Sequence, residues 1–82
     1  MLHIEIIGLE PPCPVCNELL ANARKAVHHL QVAAVVEKRP VLADDVLIKY
    51  GLLLNPALAL DGVIIAQGQS LTVEEIVALL GG

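Results

Sequence analysis

Apolar and polar positions alternate from Leu2 to Ile7, with Leu2, Ile4 and Ile6 on one side and His3, Glu5 and Ile7 on the other. A period of two predicts a β-strand. Gly8 to Pro12 interrupts it with loop residues. The period then changes. Cys16, Leu20, Ala23, Val27 and Leu30 recur at spacings of 4, 3, 4 and 3, the apolar stripe of a helix running from Cys13 to Leu30. Glu18, Asn22, Lys25 and His29 form the opposing polar stripe. Pro14 falls in the first helical turn, where its missing N–H leaves no bond unmade. Val32 to Glu37 is rich in β-branched residues and predicts a second strand.

Pro40 is expected to start a short helix with Ala43, Val46, Leu47 and Tyr50 on one face. Asp44 and Asp45 sit near its positive end, and Gly51 is its stop. Two apolar runs, Ala57–Leu60 and Val63–Ala66, are joined by Asp61-Gly62, a pair that tolerates the positive φ angles of a tight hairpin turn. Thr72-Val73-Glu74-Glu75 has the spacing of a capping box and opens a last helix. Val73, Ile76, Val77 and Leu80 form its buried face, and Gly81-Gly82 ends it. The order β-α-β-α-β-β-α makes this an α/β chain, read as a single domain over residues 1–82. Its first two strands should be parallel, joined by a right-handed crossover through the long helix.

Composition narrows what such a chain does. Of its residues, 56% are hydrophobic and Tyr50 is the sole aromatic, so aliphatic side chains must fill the core. That hydropathy does not make a membrane span, which needs about 20 uninterrupted apolar residues. The most promising stretch, Tyr50 to Leu60, contains Gly51, Asn55 and Pro56 and then meets Asp61. Met1-Leu2-His3-Ile4-Glu5 lacks the basic start and long apolar region of a signal peptide, so a soluble, cytoplasmic monomer is expected, with no membrane partner. Net charge is −4 and the basic residues are scattered as Arg24/Lys25, Lys38/Arg39 and Lys49. No basic stripe is available to collect phosphates, which argues against nucleic acid.

The candidate chemistry is Cys13-Pro14-Val15-Cys16. Positions i and i+3 share a helix face, so the two sulfurs can approach to disulfide distance. A helix N-terminus stabilises the reactive thiolate, and Cys13 stands at that end. Cys16 continues the buried stripe and should be the less accessible thiol. Exchange chemistry requires this asymmetry: one sulfur attacks a partner disulfide and a shielded one resolves the mixed disulfide. Glu10, three positions before Cys13, opposes a nearby thiolate. If the strand after Pro56 runs antiparallel to the first strand, Pro56 arrives beside the pair.

A rival reading is a Cu(I) carrier, because a strand, a Cys-x-x-Cys loop and a helix also begin small heavy-metal-binding domains. Those domains continue with a hairpin, a helix and a final strand, whereas this chain ends in a capped helix. A zinc site would need two further ligands. The imidazoles are His3, His28 and His29, and the last two belong to the far end of the long helix, so no metal and no cofactor are expected. Leu52–Leu54 reads either as core beneath a loop or as an exposed adhesive patch.

Taken together, the pattern resembles the thioredoxin superfamily, and within it the small archaeal and bacterial thioredoxin-like redox-active disulfide proteins. The matching residues are Ile6-Ile7-Gly8, Cys13-Pro14-Val15-Cys16, Asn22-Ala23-Arg24 with Ala26-Val27, Val36-Glu37-Lys38, Tyr50-Gly51, Pro56-Ala57-Leu58, Asp61-Gly62 and Gly68. The resemblance implies a thioredoxin-like fold, a four-stranded mixed sheet flanked by helices, and thiol–disulfide oxidoreductase activity. It implies Cys13 as the attacking thiol, Cys16 as the resolving thiol and Pro56 as a cis proline packed against them. A partner segment would be bound at Pro14, Val15, Asn55 and Pro56, pairing in β fashion with the Asn55 backbone. The implied partners are protein disulfides and a reductase or other electron donor. Ile7 and Pro12 stand where thioredoxins proper carry a buried Asp and a Trp, and Asn55 replaces their usual Thr or Val. Glu10 and Val15 stand where glutaredoxins carry a basic residue and an aromatic, so glutathione is expected to be a poor reductant.

Overall fold

The N-terminal alternation becomes β1, Leu2–Gly8, in a computed structural model that describes residues 1–9 and 14–81. It is followed by α1 (Pro14–Leu30), β2 (Ala34–Pro40), α2 (Asp44–Tyr50), β3 (Ala57–Leu60), β4 (Val63–Gln67) and α3 (Val73–Leu79). The strands form one sheet in the order β2-β1-β3-β4. β1 runs parallel to β2 and antiparallel to β3, and β3 runs antiparallel to β4. Parallel neighbours need a crossover, and α1 supplies it.

Because β1 is central, both of its faces are covered. Ile4 and Ile6 meet Leu19, Ala23 and Ala26 of α1, Leu58 of β3, and Leu71 and Ile76. Ile7, Ala57 and Ala59 meet Val41, Val46 and Leu53 on the other face, with Ala43, Tyr50 and Ile64 packed against them. Helices α1 and α3 therefore cover one face and α2 the other. The capping box at Thr72 is formed in both directions, Glu75 N–H donating to Thr72 Oγ1 and Thr72 N–H to Glu75 Oε1. Asp61 and Gly62 turn the β3–β4 hairpin at φ angles of 49° and 85°. No described helix is long and apolar enough to cross a membrane.

Several expectations change in detail. The buried line of α1 is Cys16, Leu19, Ala23 and Ala26, with Leu20 and Val27 packed at its flank rather than at its centre. The sheet and α3 meet the helix from two directions, so the buried arc is broader than a single stripe. Asn22 leaves the polar stripe for the same reason: its side-chain amide donates to the Leu71 carbonyl at 2.9 Å. Pro40 ends β2 instead of starting α2, and β2 begins at Ala34 rather than Val32, because the register with β1 runs from Leu2↔Ala34 to Gly8↔Pro40. Of Leu52–Leu54, Leu53 is core while Leu52 and Leu54 are exposed. β4 carries one extra residue at Ile65, since Leu58 pairs with Ala66 but Ala59 pairs with Ile64.

One polar contact crosses the α2 face. Glu5 of β1 is buried, and the Tyr50 hydroxyl donates to its Oε1. Burial, then the hydrogen bond to Glu5 and its negative charge, push the Tyr50 phenol up from 10 to about 12. The unfolded chain then releases this proton first as pH rises, so this contribution to stability is complete below about pH 10 and is lost by about pH 12. Tyr50 is the sole aromatic, so absorbance near the tyrosinate band reports it without overlap. The expected titration midpoint is about 12 in the folded protein and about 10 in urea, and coincident midpoints would refute the contact.

Candidate active site

α1 begins at Pro14, and Cys16 is its third residue. Cys16 is 2% exposed, with its sulfur turned toward the end of β1. There the chain is Gly8. A Cβ built on Gly8 would stand 2.7 Å from Cys16 Sγ and 3.3 Å from Cys16 Cβ, so a side chain at position 8 would overlap the sulfur. Gly8 itself is held in place. It pairs with Pro40 of β2, and its carbonyl accepts from Val41 N–H at 2.8 Å.

Pro56 reaches the same end of β1 from the other side. Ile7 pairs with Ala57 in antiparallel sense, so the register carried one residue further sets Pro56 opposite Gly8. The Asn55–Pro56 peptide bond is cis, as the family resemblance implies. Pro56 is buried and Asn55 exposed. The Pro56 carbonyl accepts from Gly68 N–H at 2.9 Å, and Leu54 N–H donates to Gln67 Oε1 at 3.1 Å. Gly68, at φ 79°, leaves room for the Leu54 side chain. These bonds tie the entry to β3 onto the end of β4. Gln67 was not singled out by the sequence pattern, since one polar residue ending a strand carries no signal of its partner.

Cys16, Gly8 and Pro56 therefore converge at the C-terminal end of β1. Pro14 and Val15 are exposed beside them, with Val15 43% exposed. Cys13, together with Glu10, Pro11 and Pro12, lies outside the described residues. A cavity of about 150 Å³ lined by Gly8, Leu9, Pro40, Val41 and Leu42 adjoins this end of β1. Leu9 and Leu42, two of its lining residues, are exposed, and so is Leu54, whose side chain lies against Gly68. His28 and His29 are exposed in the last turn of α1, at the opposite end of the helix from Cys16.

Comparison with known proteins agrees with this fold. Residues 2–81 match a family model described as a thioredoxin domain. A protein of Methanothermobacter thermautotrophicus named thioredoxin is 36% identical over 80 residues, covering 98% of this chain and 99% of its own. Another protein named thioredoxin, from Methanocaldococcus jannaschii, is 36% identical over 76 residues, covering 93% of this chain and 83% of its own.

Proposed function

Since this chain belongs to the thioredoxin-domain family, we propose that it exchanges disulfides with protein partners through Cys13 and Cys16. The observation that carries this reading is the buried position of Cys16 against Gly8, beside the strand that cis Pro56 opens. A cysteine residue only 2% exposed is poorly placed to attack an external disulfide but well placed to resolve one held next to it. The attacking role then falls to Cys13. Its thiolate attacks one sulfur of the partner disulfide, forming a Cys13–partner bond and releasing a partner thiolate. The Cys16 thiolate next attacks Cys13 Sγ, forming the Cys13–Cys16 disulfide and releasing the second partner thiolate. The partner gains two electrons, and a separate dithiol donor or reductase returns the pair to its reduced form.

Exposed Asn55 and the apolar side chains of Leu9, Val15, Leu42 and Leu54 support binding of an extended partner segment here. Main-chain pairing at Asn55 would fix its direction, and the leucines would cover its apolar side chains. The expected result of brief iodoacetamide treatment of the reduced protein is alkylation of Cys13 at least about tenfold faster than Cys16. Mass mapping checks it. Equal labelling, or faster labelling of Cys16, would overturn the assigned roles.

A further inference from the structure

The face of the sheet under α2 carries polar groups that disulfide exchange does not use. One ligand atom each from His3 and Glu5 of β1 and Glu37 of β2 lie within 4.8 Å of one another. His3 Nε2 and Glu37 Oε1 are 3.1 Å apart. The strand pattern makes this cluster: residues 3 and 5 point to one face of β1, and Glu37 is the β2 residue in register with Glu5.

We propose that His3, Glu5 and Glu37 bind a divalent first-row metal ion such as Zn²⁺. One imidazole and two carboxylates supply the nitrogen and oxygen donors that such ions take, and two negative charges match one dication. Glu5 separates this cluster from an ordinary group of surface acids. It is only 7% exposed, and among the described residues the one hydrogen-bond donor to its carboxylate is the Tyr50 hydroxyl. A buried carboxylate has more acceptor capacity than one phenol satisfies. Tyr50 also fixes its orientation, as outer-sphere partners do for metal ligands. Arg39 reaches Glu37 only at the limit of an ion pair, its Nη1 4.0 Å from Glu37 Oε1, and pairs more closely with Asp45 through Nη2. His3 and Glu37 are 43% and 40% exposed, which leaves an entry path and room for water on the ion.

His3 lies five residues before Gly8, about 16 Å along the strand at roughly 3.3 Å per residue, so this site is separate from the cysteine end of the sheet. The test therefore removes the thiols. The Cys13→Ser/Cys16→Ser protein, stripped with chelator, is titrated with Co²⁺ and then with Zn²⁺. One Co²⁺ per chain is expected, with a dissociation constant below about 0.1 mM and a visible d–d spectrum, displaced by Zn²⁺. His3→Gln and Glu37→Gln should each weaken binding at least about tenfold. Both side chains are partly exposed, so both variants should fold, which circular dichroism checks. No uptake below about 1 mM, or uptake unchanged in both variants, would overturn the site.

Discussion

Cys16→Ser is expected to stop turnover at the mixed disulfide, lowering catalysed reduction of a protein disulfide by at least about a hundredfold. The second step is intramolecular, and a thiol held beside the bond it attacks acts at an effective concentration far above that of any millimolar external thiol. Cys16 is positioned for that step by α1 on one side and Gly8 on the other. Serine is close in size but cannot attack sulfur, so the Cys13–partner bond should persist and appear as adducts on non-reducing gels of cell extracts. Cys13→Ser should yield few adducts, because the thiol that remains is buried. Adducts with Cys13→Ser but not with Cys16→Ser would reverse the assigned roles. No adducts with either variant, together with stoichiometric Cu(I) uptake by the parent protein, would favour the metal-carrier reading.

The sequence carried most of the fold because its local signals agree with one another. The alternation of Leu2–Ile7, the Asp61-Gly62 turn and the Thr72 box each specify an element, and each forms where the pattern puts it. Boundaries were less legible where tertiary pairing decides them. β2 extends to Pro40 because β1 reaches Gly8, which nothing between Val32 and Pro40 announces. Asn22 reads as polar surface on a helical wheel, and becomes a bridge only because α3 is preceded by a loop with a carbonyl at Leu71. The same limit applies at the site. Cys16 and Pro56 could be found from spacing and from likeness to a family, whereas the closeness of Gly8 to Cys16 depends on how α1 leans on β1. The His3–Glu5–Glu37 cluster depends in the same way on strand register, which places Glu37 across from Glu5.

That lean makes Gly8→Ala the most informative change outside the cysteines. The added methyl carbon would begin 2.7 Å from Cys16 Sγ, well inside van der Waals contact. Gly8 cannot easily retreat, because its carbonyl is bonded to Val41 N–H and its neighbour Ile7 is paired with both β2 and β3. The first turn of α1 has to yield instead. Overpacking a tight contact typically costs about 1–3 kcal/mol, and that loss should appear in urea unfolding. Resolution of the mixed disulfide should also slow by about tenfold or more, since a sulfur displaced by an ångström loses the alignment that the second attack requires. The cause can be isolated with a double-mutant cycle. In a Cys16→Ala background the sulfur is gone while the Cys16 Cβ position, 3.3 Å from the new methyl, remains. Gly8→Ala should then cost less than in the parent by about 1 kcal/mol or more, the coupling expected of residues in direct contact. Additive costs in the two backgrounds would show that Gly8 does not press on Cys16, and would remove the proposed reason for glycine at this strand end.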